Sequence, residues 1–357
     1  MVTRPRLTPA IADVRRAVRE SLDAATGAPG AGLVGGELIL VACSGGPDSL
    51  ALAAALAFEV RSAERAGLGL RAGAVIVDHG LQAVSAEVAA RTAEVLRGLG
   101  LAPVEVVRVQ VGEAGGPEAA ARDARYDALR DATSRLGARF VLLGHTLDDQ
   151  AETVLLGLAR GSGARSLSGM AAASADVFLR PLLGVSRETT LAFCADSGLE
   201  PWHDPHNLDP KFTRVRVRQT VMPLLEQELG PGVASALARS ADLLRADADY
   251  LDTLAASEFK RLALLGATEL SFDLSKAADP DRAHCLSALP QPIRSRVLKL
   301  ALAVFSAENS LAHIRAIEDL LDNWHGQKML TLPRVRVERA GERLVFKSTK
   351  TMKSGVC

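Results

Sequence analysis

Hydrophobic positions along this chain repeat with two periods. Residues 38–42 (L-I-L-V-A) form a short unbroken aliphatic run of the kind a strand buried on both faces requires. Comparable runs at 72–77, 104–109 and 139–143 predict three more strands. Between them the apolar positions recur at helical spacing. Ile11, Val14, Val18 and Leu22 predict an amphipathic helix over 8–25. Further helices are predicted over 50–66, 85–99 (with Val88, Leu96 and Leu99 inward), 117–136 and 148–159, and Pro117 suits a first helical turn. Alternating strands and helices predict an α/β fold, an open and mostly parallel sheet with helices on both faces. Ligands of such sheets bind beyond the carboxyl ends of the strands.

After Arg160 the texture changes. Residues 161–169 are small and polar, R-P-L-L at 180–183 leads into a helix near 186–197, and residues 202–210 form a loop dense in turn residues. A basic helix is predicted over 212–227. Lys211, Arg214, Arg216 and Arg218 fall at uneven, mostly alternate positions that cannot share one helix face, which predicts an extended or irregular start to it. Ala/Leu-rich stretches at 233–265, 293–305 and 311–321 then predict a separate helical domain. Strand-like pieces at 328–332, 334–338 and 343–347 close it, followed by a polar tail. The expected organisation is an N-terminal helix and linker (1–36), a sheet domain (37–229) and a mainly helical C-terminal domain (230–357).

Composition narrows the function classes. Hydrophobic residues make up 48% of the 357 positions and charged residues 24%, which is globular and large enough for two domains. Lys+Arg and Asp+Glu both total 42, so any nucleic-acid reading must rest on local basic clusters. The longest apolar run, 50–58, is half a membrane span, and no apolar core follows the N-terminal charges, so neither a span nor a secretory signal is expected. Cys43, Cys194, Cys285 and Cys357 lie far apart, which argues against structural zinc and for a reducing cytoplasm.

Three polar clusters each follow a predicted strand end: 44–49, Asp78-His79 and 145–152. The first, Ser44-Gly45-Gly46-Pro47-Asp48-Ser49, is a glycine-rich turn entering a helix, where free backbone N–H groups can receive a phosphate. It lacks the lysine of a Walker A loop, and a plain strand-to-helix turn is the alternative. It matches S-G-G-x-D-S at every fixed position and so resembles the N-type ATP pyrophosphatases, among them NAD synthetases, GMP synthetases and tRNA thiolases.

Later segments narrow the resemblance. G-H-T-L-D-D-Q-A-E-T at 144–153, the run through R-G-S-G-A-R-S-L-S-G-M to Met170, R-D-A-R-Y at 122–126, R-P-L-L at 180–183 and D-P-H-N-L-D-P-K-F-T-R-V-R-V-R ending at Arg218 look like the tRNA(Ile)-lysidine synthetases. That resemblance implies ATP-dependent transfer of free L-lysine onto the wobble cytidine of a CAU-anticodon tRNA(Ile), through an adenylated base, in a cytoplasmic enzyme. A homodimer is compatible with it. It implies an ATP site at residues 44–49 with Asp78, His79, Gly144 and His145, and a Mg²⁺ ligand in Asp48. Asp48, Asp148, Asp149, Glu152 and Arg122 become the catalytic candidates, with Asp149, Glu152 and Arg122 on the lysine. Arg125, Arg160, Lys211, Arg214, Arg216 and Arg218 become the tRNA contacts.

The residues keep other readings open. Asp148 and Asp149 would also complement a helix dipole, and Arg122 and Arg125, at i and i+3, could meet lysine's carboxylate, ATP phosphates or tRNA, or form a solvated face. Trp202 and Phe212 could stack on a base, with burial the expected role. Gln82 and Val215 stand where the family usually has arginine and asparagine, and an additional C-terminal tRNA-binding domain of longer relatives is expected to be missing. The alternatives are a tRNA 2-thiolation enzyme using Cys43 as sulfur carrier, or a non-catalytic RNA-binding protein on the same scaffold. Cys43 itself reads as strand packing.

Overall fold

The structure is a computed structural model, and it describes residues 7–26, 36–65, 69–80, 84–110, 112, 116–174, 176–204, 208–266, 268–275 and 285–349. Gln82 and residues 350–357 of the expected tail lie outside them. Two compact units divide the chain, Met1–Leu244 and Arg245–Cys357.

The first unit holds the parallel sheet. Its strands are β1 (Leu38–Ala42), β2 (Arg71–Asp78), β3 (Val104–Arg108), β4 (Ala138–Leu143) and β5 (Phe178–Leu179), in the order β3-β2-β1-β4-β5. The period of two within each strand sorts side chains onto two cores. Ile39, Val41, Ala74, Ile76 and Leu142 face one, with α1 (Pro9–Thr26), α2 (Pro47–Arg65), α3 (Ser85–Gly98) and α7 (Arg187–Asp196) supplying the opposing layer. Leu38, Leu40, Val75, Val141 and Phe178 face the other, closed by Leu129 and Ala132 of α4 (Pro117–Leu136). The helices thus flank both faces. The expected 8–25 helix is α1, and Ile11, Val14, Val18 and Leu22 are all buried within this unit's core.

Two local expectations change. In α3 the inward residues are Ala89, Thr92, Ala93 and Leu96, with Val88 and Leu99 only half-buried, because the helix rolls its small residues onto the sheet. β5 has two residues and no periodicity to detect, yet its pairing with Val141 and Leu142 adds a fifth strand. Strand order reverses at the β1–β4 boundary, since β2 and β3 lie to one side of β1 and β4 and β5 to the other. That switch point leaves a crevice at the carboxyl ends of β1 and β4.

The basic segment starts irregularly and is not extended: Lys211 lies in a turn, and the chain is helical from Thr213. A short helix α8 (Thr213–Arg216) runs into a π turn over Val217–Val221 and then α9 (Met222–Leu229). Val215 and Val217 are buried, and Arg214 and Arg218 point to a common side at i and i+4. Arg216 turns the other way, donating to the carbonyls of Pro210 and Lys211.

The boundary of the second unit falls within α10 (Val233–Leu262), beyond the Gly230-Pro231-Gly232 break. Its strands form one antiparallel sheet, β6-β7-β10-β9-β8, comprising Ala263–Leu265, Glu269–Asp273, Arg343–Ser348, Val335–Ala340 and Leu330–Leu332. The first two were not expected as strands; Leu270 and Phe272 pair with Phe346 and Leu344, over seventy positions away in sequence. Phe272 meets the ring of Phe346 edge-on at 6.0 Å between centroids. Val297, Leu298 and Leu302 of α11 (Gln291–Val304) and Ile314 and Ile317 of α12 (Leu311–Asp322) complete this core.

Leu142 is fully buried between β1 and the α1/α2 layer. Leu142→Ala should cost the first unit about 2–5 kcal/mol, measured as a lower urea midpoint with an unchanged m-value.

Candidate active site

The turn after β1 is closed by side-chain and backbone hydrogen bonds. The Ser49 Oγ accepts from the Ser44 N–H at 3.1 Å and donates to the Gly46 carbonyl at 3.0 Å. The Trp202 N–H caps it from outside, donating to the Gly45 carbonyl at 2.9 Å. Gly45 holds φ +85°, and a Cβ there would stand 2.6 Å from Thr92 Oγ1, so glycine is required both by conformation and by space. The helix begins at Pro47, so Asp48 and Ser49 lie in its first turn and not at an N-cap. Ser49 is buried and committed to holding the turn, whereas Ser44 is exposed at its mouth. Gly144, at the end of β4, lies directly beneath: its Cβ would be 3.1 Å from the Ser49 nitrogen.

Two cavities meet at this turn, sharing Ser44, Trp202 and Asp204 in their walls. The larger, about 560 Å³, is lined by the turn, Asp48, Arg125, Gly144, His145, Asp149, Arg187 and Arg218, among others. The smaller, about 150 Å³, is lined by Asp78, His79 and the apolar Ile76, Val77 and Ala89. Asp78 accepts from the Gly80 N–H at 2.9 Å; burial works against its ionisation, but this bond, Ser85 and Arg108 hold its carboxyl below the usual range. His79 and His145 each have a buried Nδ1 with no partner in the protein, which suits a ligand's polar atom. Trp202 and Phe212, expected in the core, are not there: Trp202 walls both cavities and Phe212 is 38% exposed.

The acidic cluster after β4 is not free. Thr146 and Asp149 form a capping box on α5 (Leu147–Ala159), which the short α6 (Ala164–Leu167) follows, with Asp149 Oδ2 accepting from the Thr146 N–H at 2.9 Å. Asp149 Oδ1 lies 3.1 Å from both Arg187 Nη2 and Arg218 Nη2. Glu152, 1% exposed, accepts from Arg214 Nε at 2.7 Å and bidentately from Arg218 at 2.6 and 2.9 Å. A carboxylate so buried must be matched by charge. Glu152 is thus matched by two guanidinium groups and is not among the residues lining the cavity, and Arg214 and Arg218, the candidates for tRNA phosphates, face it. Asp148 accepts from the Arg187 backbone N–H at 2.7 Å, capping α7 from another helix.

Arg187 and Thr190 were missed by the sequence reading, and both act on Asp48. Thr190 donates to Asp48 Oδ1, and Arg187 Nε lies 3.4 Å from Oδ2. Burial pushes the Asp48 carboxyl up, opposed by those two groups, whereas for Asp149 the opposition from Arg187, the Thr146 N–H and Arg214 prevails and holds it down. Nothing local marks Arg187, which follows the R-P-L-L run but lies 139 positions from Asp48.

The remaining candidates separate. Arg125 lines the cavity, and burial lowers its pKa. Arg122 does not line it: it is exposed, donating to the Tyr126 hydroxyl at 3.3 Å and lying 5.0 Å from that ring. Arg160, Lys211 and Arg216 are on the surface. Cys43 is 2% exposed, and burial raises its thiol pKa, opposite to what a sulfur-carrying thiolate requires. Among the described residues no group of three or more His, Cys, Asp or Glu side chains could hold a metal, and no helix is long and apolar enough to cross a membrane.

Comparison with known proteins gives a consistent result. Residues 17–225 match the PP-loop domain family and residues 285–345 the TilS substrate binding domain. A tRNA(Ile)-lysidine synthase of Leifsonia xyli subsp. xyli (strain CTCB07) is 54% identical over 315 residues, covering 88% of this chain and 91% of that protein. Another, from Thermobifida fusca (strain YX), is 51% identical over 331 residues, covering 92% and 94%. Among solved structures, the U34-tRNA thiolase NcsA from Methanococcus maripaludis with its 4Fe-4S cluster aligns with a TM-score of 0.51 at 18% identity, over 66% of this chain and 80% of that one, a likeness of fold alone.

Burial pushes the His145 imidazole down to about 3, reinforced by Arg125 and opposed by Asp149. An unfolded histidine takes its proton near pH ~6.5. The unfolded chain therefore binds more protons between those values, and stability falls as pH drops through that window. His145→Gln should remove this contribution, flattening the loss of stability between pH 7 and 4 in denaturant titrations; parallel curves for the two proteins would exclude it.

Proposed function

The chain belongs to the tRNA(Ile)-lysidine synthase family, and we propose that it ligates free L-lysine to the wobble cytidine of a CAU-anticodon tRNA(Ile), using ATP. The observation that carries this reading is the convergence of an anion-receiving turn, Asp48 and Asp149 on one cavity at the sheet's switch point.

The reaction has two displacements. The cytosine 2-carbonyl oxygen attacks the α-phosphorus of ATP, and the bond to pyrophosphate breaks. The ε-amine of lysine, having given up a proton, then attacks C2; the C2–O bond breaks and AMP leaves, so the base pairs with A instead of G. Phosphoryl transfer of this kind needs positioning and charge neutralisation, not a protein nucleophile. The exposed Ser44 and the N–H groups at the start of α2 suit the phosphates. The apolar cavity with Asp78 suits adenine and a ribose hydroxyl. Arg125, beside Gly144 and His145, suits an anionic oxygen inside the cavity. His145 is neutral at physiological pH and acts as a polar contact rather than a proton carrier.

Asp149 is the carboxylate within the cavity that suits the lysine ammonium, with Glu152 holding Arg214 and Arg218 beside it. Mg²⁺ fits Asp48 only as a single protein ligand, since Mg²⁺ is commonly held by one or two carboxylates plus phosphate oxygens. Bound there it would supply charge neutralisation to the triphosphate. For tRNA, the exposed Arg160, Lys211 and Arg216 suit backbone phosphates, and Trp202, walling both cavities, suits stacking on a base drawn into the site. The reading puts the protein in the cytoplasm, where its substrates are.

The deciding assay incubates the protein with ATP, Mg²⁺, labelled lysine and the CAU-anticodon tRNA(Ile). Incorporation of label into tRNA is expected; its failure across salt conditions would rule out the reading. Asp48→Ala should abolish pyrophosphate release while leaving tRNA affinity nearly intact, and Lys211→Ala should reduce the salt slope of tRNA binding by about 1.

Gly144→Ala should push the turn outward and weaken ATP affinity at least tenfold in calorimetry, with an unchanged circular dichroism spectrum.

A further inference from the structure

The acids of the proposed amino-acid subsite are already faced by positive charge. Asp48, Asp149 and Glu152 face Arg187, Arg214 and Arg218, acids and bases in equal number. Asp149 has no oxygen to spare: Oδ2 is taken by Thr146 and Oδ1 by Arg187 and Arg218. An ammonium group approaching Asp149 would meet guanidinium groups before it met the carboxylate.

The three arginines are not held equally. Arg214 and Arg218 grip Glu152 at 2.6–2.9 Å, Arg218 from the cavity wall itself. Arg187 makes only longer contacts, 3.4 Å to Asp48, 3.1 Å to Asp149 and 3.7 Å to Glu152. Its backbone is fixed by Asp148 and its side chain lines the same cavity as the anion-receiving turn. A guanidinium with loose carboxylate partners and a polyphosphate within reach will move towards the polyphosphate, which offers more negative charge and bidentate oxygens.

We propose that Arg187 is a positioning residue that couples the two subsites: without nucleotide it shares Asp149 Oδ1 with Arg218, and the triphosphate draws it away, so that the ammonium group of lysine can take its place on that oxygen. The proposal rests on the lysine-ligating reading of the site. It deepens that reading by giving the amino-acid subsite a dependence on the nucleotide, and by linkage the nucleotide must gain affinity from lysine by the same factor.

The test measures binding of labelled lysine to the full chain with and without saturating α,β-methylene-ATP and Mg²⁺, and binding of the analogue with and without lysine. In the wild type, lysine should bind at least tenfold tighter with the analogue, and the reciprocal factor should agree. Arg187→Gln should bind lysine without nucleotide more tightly than the wild type does, and its coupling factor should fall below threefold. Arg187→Lys, which keeps the charge but not the fork, should retain an intermediate coupling. Lysine binding that is equal, or undetectable, in both states of a wild-type protein still active in ligation overturns the coupling while leaving the reading intact. Full coupling in Arg187→Gln overturns the role of Arg187. Absence of ligation in the wild type would instead overturn the reading itself. Should Arg187→Gln fail to fold, the wild-type factor and Arg187→Lys decide the matter.

Discussion

A carboxylate that is 1% exposed must be neutralised by charge brought to it, and Glu152 imposes that constraint on the site. Its demand is met by Arg214 and Arg218, which come from α8 and the π turn. Arg214 and Arg218, at i and i+4, converge on one side while Val215 and Val217 stay in the core. Arg187 joins the same cluster from the start of α7 and reaches on to Asp48. One buried acid thus ties together α5, α7, the basic segment and the turn after β1. Removing a partner would leave a buried charge uncompensated, and the contacts of Arg187 are longer than those that Arg214 and Arg218 make to Glu152.

The turn itself depends on close approach. Gly45 accommodates Thr92, Gly144 lies under the start of α2, and Ser49 spends its hydroxyl on the turn's own backbone. These features leave Ser44 and the N–H groups at the start of α2 facing outward. The residues most prominent in the motif therefore divide between those that shape the turn and those that could touch an anion, a division invisible in the string S-G-G-P-D-S.

Much of the scaffold was legible because its signals are local. The 38–42 run became β1 with all five residues buried, and the helix over 117–136 has the bounds its pattern predicts. β5, with two residues, and the strands at 263–265 and 269–273 were not legible, since each exists only by pairing with a distant partner. In the site, the turn, Gly144 and Asp149 could be read from motifs and resemblance. That Arg214 and Arg218 face Glu152 could not be read, because a basic residue's sequence says nothing of which acid faces it.

The sequence by itself determined the strand–turn–helix units, the glycines that let backbones meet, and the family to which they belong, because these are encoded within a few neighbouring residues. Tertiary structure alone decided which charges meet. Arg187 reaches Asp48 across 139 positions, Thr190 across 142, and Arg218 reaches Glu152 across 66. Electrostatic pairing falls off with distance in space and is indifferent to distance along the chain, so the roles of these side chains emerge only when the sheet and its helices have brought them together.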